Sequence, residues 1–497
     1  MQRTIKALAF TLLALSAQHL TAQTNKTFLS TRPQGVDSLL ERVMLQSMTA
    51  SKDEDAFGGI FQATAFYNEA IQTNGLGRYF LFGDKDSAAL TRANLQLLIP
   101  DQNSAVESAA VVAAGGTTPL LSADVTTVKF SPTLRSFGVF LTYYQDLEKI
   151  LPGLYFNVRV PVVEVESDLG LIATGGNSEA VKQFLSGTLN EIPVTASYAR
   201  KPLQHAKIST KQQNLGIADI DLRMGYAFLQ GDEGSLGLNI GLTVPTGNIP
   251  EAKQAFEAIY GNNGHWGFGA GLEGRYRLWE SDESNLVVHA STDYRNLFAN
   301  TERRTFGIKG IDFGQYRIVA ERTNTSANLQ AIPAAEALTL STDVTPGMQL
   351  DNSAGFTYSY GGLTLDLAYN LWYRDRESLK LRDAWNDTKY AYLATDAGVN
   401  TQFGLVPVAP AAAGVNLGFA ANPAAGAANA NLTSDAIDFE SARTAVQLTN
   451  KILAGVGYVF KEFEYPIMLG IGGHYEIPND NNTARTWGFF CKTGIAF

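Results

Sequence analysis

Cysteine is almost absent: Cys491 is the only one in 497 residues. No intrachain disulfide can form, and a CxxC-type metal site is excluded. Charge is sparse too. Asp, Glu, Lys and Arg make up 17% of the chain, below the quarter typical of a globular domain. Their balance is acidic, at −10, which argues against nucleic acid as a partner. Long apolar runs are missing. The mean hydropathy of −0.06 is far too polar for a bundle of membrane helices, and the one Ala-rich tract, Val406 to Leu432, carries Pro410, Pro423 and several Asn. Lipid would leave its polar groups unsatisfied, so it reads as part of a surface loop. Histidine is scarce as well. His19, His205, His265, His289 and His474 show no metal-ligand spacing, and Val244-Pro245-Thr246-Gly247 lacks the Gly spacing and Lys of a phosphate loop. No metal and no cofactor is expected.

What is present points to export and to strands. Arg3 and Lys6 precede a short apolar stretch from Ala7 to Ala17, too short to span a bilayer as a helix. Small residues follow, and Leu20-Thr21-Ala22 before Gln23 is the expected signal cleavage site, with Leu15-Ser16-Ala17 as the alternative. Glycine is abundant at 46, with 20 Tyr and 27 Phe. Runs of about ten residues alternate with a period of two. Leu236, Leu238, Ile240, Leu242 and Val244 share a face backed by Gly237, Asn239, Gly241 and Thr243. Leu363, Leu365, Leu367, Tyr369, Leu371 and Tyr373 oppose Thr364, Asp366, Asn370 and Arg374. Aromatics collect near strand ends, at Tyr143, Tyr373, Tyr458, Tyr475 and Trp487. One apolar face, one polar or glycine-rich face and aromatic girdles are the pattern of an all-β transmembrane antiparallel β-barrel in a bacterial outer membrane, with lipid around it. A soluble β-sandwich would alternate as well, but would not need the girdles.

Connection lengths alternate in the same sense. Short turns fall at Gly231–Gly234, Ser281–Ser284, Gly361-Gly362 and Lys461–Tyr465. Long connections cover about 84–134, 167–215, 247–263, 299–344 and 379–439, the expected extracellular loops. With Phe497 at the periplasmic end, every short turn falls on the periplasmic side. The expected organisation is a signal peptide over 1–22, a periplasmic or lumenal segment over 23–56, and the barrel over 57–497. Twelve strands are counted from Leu76–Phe82 onward, with fourteen as the alternative. A further apolar stretch at Gly58–Tyr67 makes the count odd, which conflicts with a periplasmic start. Short helices are expected at Asp37–Met48, Asn177–Leu185 and Glu251–Ile259.

The last strand sets Trp487, Phe489, Cys491, Thr493, Ile495 and Phe497 on one face. Here the chain resembles bacterial outer-membrane proteins generally, whose terminal strand ends in an aromatic residue read by the barrel-assembly machinery. The resemblance implies that machinery as a partner, with Trp487, Phe489 and Phe497 as its signal. A narrower resemblance covers Gly216-Ile217-Ala218-Asp219-Ile220-Asp221-Leu222-Arg223-Met224-Gly225-Tyr226 through Pro245-Thr246-Gly247. It is similar to the strand–turn–strand and "PTG" turn of an outer-membrane family associated with phenol degradation, akin to the long-chain fatty acid transporter type. Residues 23–56 lack the Asn-Pro-Ala motif of those transporters. The wider pattern, including Pro152-Gly153-Leu154-Tyr155-Phe156 and His265-Trp266, resembles a group of large outer-membrane proteins that brings no activity with it.

Parity directs a set of charges into the lumen: Arg159, Asp219, Asp221, Arg223, Glu273, Arg275, Arg277, Asp293, Arg295, Asp366, Arg374 and Lys492, with His289, His474 and Glu476 beside them. Opposed acids and arginines could select solutes by charge, or could be ion pairs filling a narrow bore. The expected function is a porin-like channel or transporter for small solutes. The alternative is a structural or surface-interaction protein with a plugged barrel. His289 and Ser291 have the His-x-Ser spacing of an outer-membrane phospholipase. Both point inward by parity, away from lipid, so enzymatic activity is not expected.

Overall fold

Alternation with a period of two sends successive side chains to opposite faces, and the wall of this molecule is that pattern closed on itself. The computed structural model describes residues 26–34, 38–42, 58–81, 85–91, 124–189, 193–194, 198–199, 202–209, 211–322, 329–392, 431–480 and 482–497. The strands of the wall are β1 (Gly59–Ile71), β2 (Thr133–Asp146), β3 (Leu154–Asp168), β4 (Gln212–Ile217 continued by Ile220–Gly231), β5 (Gly234–Val244) and β6 (Gly267–Glu280). They continue with β7 (Ser284–Leu297), β8 (Gln349–Tyr360), β9 (Leu363–Arg374), β10 (Gln447–Phe460), β11 (Ile467–Pro478) and β12 (Arg485–Ala496). Each pairs antiparallel with the next, and β12 returns to β1 from Ile60 opposite Ala496 to Ile71 opposite Arg485. The wall is thus a closed barrel of twelve strands, and closure leaves no open edge.

The expected count holds, but its first member was misplaced. Gly59–Ile71 is the strand beside the chain terminus, and the stretch expected as strand Leu76–Phe82 forms a helix, Asn74–Phe80. Leu76, Tyr79 and Phe80 are spaced for one helical face and are buried in the cluster beneath the outer loops. That substitution removes the odd-strand conflict. The helix expected at Glu251–Ile259 is also absent. Ala252 adopts φ 56°, and the Glu257 carboxylate accepts the backbone N–H groups of Glu251, Lys253 and Gln254. A local carboxylate takes the donors that a first helical turn would leave orphaned. The helix expected at Asn177–Leu185 is present at Ser178–Ser186 and stops at Gly187, φ 74°. Of the helix expected over Asp37–Met48, Ser38–Arg42 is described, and the remainder lies outside the described residues.

The outer face is apolar. Leu238, Ile240, Phe268, Leu367, Ile452 and Ile471 are 50–58% exposed, whereas Asn239, Asp366 and Lys451 on intervening positions are buried inside. Slipping one strand by a single residue would exchange the faces and carry Lys492 or Glu476 into lipid. There, an Arg or Lys at mid-bilayer costs about 2–4 kcal/mol. Register is therefore held by the inner charges as much as by the outer hydrocarbons. Tyr143 and Tyr458 lie toward the short-turn end; Tyr373, Tyr475 and Trp487 lie toward the long-loop end. The turns at Gly231–Gly234, Ser281–Ser284, Gly361-Gly362 and Lys461–Tyr465 share the end that carries Phe497, where Gly59 N–H donates to the Phe497 carbonyl; the short 479–484 connection lies at the opposite end, with the long loops. This is the wall of an outer-membrane β-barrel with its long loops outside. Among the described residues no helix is long and apolar enough to cross a membrane.

The wall has one interruption. β4 breaks at Ala218–Asp219, opposite Pro161 of β3. Proline offers no N–H to the ladder, and its carbonyl accepts Ala218 N–H instead. The freed groups bind the turn after β5: Thr246 Oγ1 donates to the Ala218 carbonyl at 2.6 Å, and Gly247 N–H donates to Asp219 Oδ1. The Pro-Thr-Gly turn is therefore docked on a strand break.

Long loops form a packed cap. One cluster joins Tyr79, Phe80, Phe130, Phe184 and Tyr316; another joins Phe306, Val319, Ile332, Leu338 and Leu432.

Two outcomes check this wall. Unboiled protein should migrate faster than boiled protein on a denaturing gel, and solubility as a detergent-free monomer would refute the barrel. Gly225 lies under the Tyr155 ring, so a Cβ there overlaps the ring atoms. Gly225→Val should destabilise the barrel by about 1–3 kcal/mol and lower the temperature at which the fast band disappears. An unchanged transition would contradict the stacking.

Candidate functional site

Twelve strands leave a narrow bore, and the chain's own N-terminal residues occupy it. Lys26 donates to the carbonyls of Glu440 and Arg443, and Thr27 to those of Ser441 and Thr305. Ser30 follows at the outer end of the strands, where its hydroxyl accepts from Arg374 at 2.7 Å and its carbonyl from Gln447 at 2.9 Å. Arg32 reaches Glu476 at 2.9 Å, Asp351 at 3.2 Å and Asn370 at 3.0 Å. The short helix Ser38–Arg42 lies deeper. Leu39 and Leu40 pack in a cluster with the inward side chains Ile60, Phe66, Phe140 and Phe490. Glu41 accepts from Asn157 and Arg159, while Arg42 pairs with Glu273 at 2.7 Å and with Asp293 at 3.6 Å. Lys492 Nζ donates to the carbonyls of Leu40 and Glu41.

The wall charges expected in the lumen are thereby placed. Arg159 and Arg295 both meet Asp221, at 2.5 and 2.7 Å, and Thr243 donates to the same carboxylate. Arg223 meets Asp293 at 3.4 Å. Glu273 also accepts from Tyr155, and Asp366 from Thr357 at 2.6 Å. Glu476 lies between Arg32, Lys451 and Thr449. Arg374 pairs with Glu377. Three residues differ from the expected lumenal field. Asp219 accepts Gly247 N–H, Asn262 N–H and the Asn262 amide, so it clamps the strand break. Arg275 is exposed, and Arg277 pairs with Glu280 near the short turn, where the register of the β6–β7 ladder shifts between Arg277 and Trp279. His289 and Ser291 do face inward and are buried, but the Ser291 hydroxyl pairs with Ser353 at 2.6 Å. His289 Nε2 has no hydrogen-bond partner among the described residues. The pair is therefore not assembled as nucleophile and base. Trp487 and Phe489 face outward beside Tyr67, and Phe497 stacks with Tyr143.

What parity alone missed is the partner set. Arg32, Glu41 and Arg42 lie on no wall strand, so no alternation marks them. Asp351, Lys451 and Trp372 were within reach, since each alternates with outward Leu350, Ile452 and Leu371 on its own strand.

Water-sized space remains on both sides of the segment. A cavity of about 30 Å³ is lined by Asp221, Arg223, Asn239, Asp293 and Arg295, and one of about 70 Å³ by Arg32, Asn68, Lys451, His474 and Glu476. These hold about one or two waters each; neither is an open pore. Among the described residues no group of His, Cys, Asp and Glu could hold a metal ion.

Above the lumen a buried charge chain joins plug to cap. Arg304 is fully buried, pairs with Glu302 and Glu377, and lies 3.3 Å from the centre of the Phe28 ring. Burial by itself raises the Glu377 carboxyl. Arg304, Arg374 and the Thr444 N–H outweigh it and hold the group below the ordinary 4.5. A carboxyl lowered by folding contributes stability above its unfolded value and loses it as pH falls through the folded one. The cap should therefore hold at neutral pH and loosen as pH falls below the ordinary glutamate range. Glu377→Ala takes the shared carboxylate from two buried guanidiniums, leaving Arg304 with Glu302 and Arg374 with Ser30, which costs about 3 kcal/mol. Limited proteolysis of the folded barrel at neutral pH should cut the variant faster than the parent within 300–322, 329–348 and 375–392. Equal resistance would refute the role.

No family model matches the chain, and no curated protein matches it. Among solved structures it is similar to an outer-membrane channel from Pseudomonas putida F1, at 10% identity over 90% of this chain and 100% of that one, with a TM-score of 0.38. A Pseudomonas aeruginosa FadL homologue gives 8% identity, 89% and 90% coverage, and 0.27. The Ralstonia pickettii toluene transporter TbuX gives 9%, 89% of each chain, and 0.26.

Proposed function

We propose that this barrel is an outer-membrane channel for small solutes that conducts when the N-terminal segment leaves the lumen. One observation carries the reading: residues 26–34 and 38–42 run through the bore without joining the wall's hydrogen-bond ladder. The wall is complete without them, so the segment can move while all twelve strands stay paired. Polar side chains line the bore on both sides of it, as a solute path requires. Outer-membrane lipid surrounds the wall on this reading, and Trp487, Phe489 and Phe497 serve the barrel-assembly machinery.

The packed cap favours a second reading, a surface-interaction protein whose barrel stays shut. Planar-bilayer recording separates the two. The full chain should carry little steady current, and a chain lacking residues 26–42 should carry a stable, larger one. A truncated chain that still shows the fast gel band, yet passes no more current than its parent, would sink the channel reading.

A further inference from the structure

Arg32 is held as a ligand is held. Its Nη1 donates to Glu476 Oε1 at 2.9 Å, and its Nη2 donates to Asp351 Oδ2 at 3.2 Å and to Asn370 Oδ1 at 3.0 Å. The guanidinium carbon lies 5.4 Å from the centre of the Trp372 ring. Two carboxylates and an amide oxygen therefore meet the donor edge of a planar cation that lies beside an indole. The receptor is rigid by construction. Asp351, Asn370, Trp372 and Glu476 all stand on paired wall strands and are buried, with Asn370 and Trp372 at 0% exposure. Asn370 also donates to Asp351, and Thr449 and Lys451 to Glu476. The receptor belongs wholly to the wall; only the guanidinium belongs to the segment.

We infer that Asp351, Asn370, Trp372 and Glu476 form a binding site for a solute bearing a guanidinium group, which Arg32 occupies while the lumen is closed. The inference rests on the gated-channel reading and names its substrate class. When the segment leaves, Glu476 keeps Lys451 and Thr449, and Asp351 keeps the Asn370 amide, but the two carboxylates lose the cation that bridges them. A guanidinium restores that bridge. An anion would meet two carboxylates. A neutral urea matches the shape but brings no charge, and a compact ammonium cannot present a planar fork to both carboxylates at once. The site adjoins the cavity of about 70 Å³ that Arg32 shares with Gln34, Asn68, Lys451 and His474, and departure of the segment adds the space of Arg32 itself. A solute with this group competes with Arg32 for one site, so its binding and the opening of the lumen are linked.

The test uses the full chain carrying Arg32→Ala, which empties the site, with methylguanidinium as probe and methylurea as its neutral counterpart. The readout is the temperature at which the fast gel band converts to the slow one. Methylguanidinium should raise it at a concentration at least about tenfold lower than methylurea. Adding Asp351→Asn should erase that difference. Equal action of the two probes, or a preference that survives Asp351→Asn, overturns the site. The measurement needs no current, so it judges the site even if the truncated chain fails to conduct. Conversely, a conducting truncated chain with no preference between the probes keeps the gate and removes the substrate class.

Discussion

Lipid accepts no hydrogen bonds, and every backbone N–H and C=O in the wall must find its partner in a neighbouring strand. The remaining features follow from that constraint. It requires closure, which β1 and β12 provide. Closure with a period of two turns one face to lipid and the other to the bore. Apolar side chains take the first, and arginines and carboxylates are confined to the second. A narrow bore full of charge is itself unstable unless each charge is answered. Part of the answer comes from wall neighbours such as Arg295 and Asp221. The rest comes from Arg32, Glu41 and Arg42 of a segment outside the wall.

The wall was legible in the sequence because its rule is local. Each strand shows its alternation within ten residues, and Phe497 orients every hairpin. Leu76–Phe82 failed because a short apolar stretch fits either periodicity; burial of Leu76, Tyr79 and Phe80 on one side settles it as helix. Glu251–Ile259 failed because one carboxylate, Glu257, organises the turn from a distance that composition does not show. The lumen was half legible. Parity turned Asp293, Glu273 and Lys492 inward. That Glu273 answers Arg42 and that Lys492 binds the carbonyls of Leu40 and Glu41 joins residues far apart in the chain, and no spacing rule spans that interval.

The cap and the plug share one electrostatic arrangement. Glu302 and Glu377 flank Arg304, Arg374 joins Glu377 to Ser30, and Phe28 lies over Arg304. Each of these charges is buried, so removal of any one leaves another exposed to a medium that solvates it poorly. The outer loops and the N-terminal residues are consequently not independent parts. A shift of the 374–447 connection moves Glu377, and with it the groups that hold Phe28 and Ser30 in place.

The course of the chain through the bore bears on the order of assembly. Lys26 sits among the outer loops, Glu41 and Arg42 lie at mid-lumen, and Gly59 opens β1 at the short-turn end. The strand that follows the segment is thus the strand that seals the barrel, and its partner is the last strand of the chain. A barrel sealed first would have to admit the segment through a mouth already covered by packed loops. Insertion through the unsealed side, with the β1–β12 contact formed last, avoids that obstacle. The seam that closes the wall is thus also the side on which the wall can receive its contents without passing the packed loops.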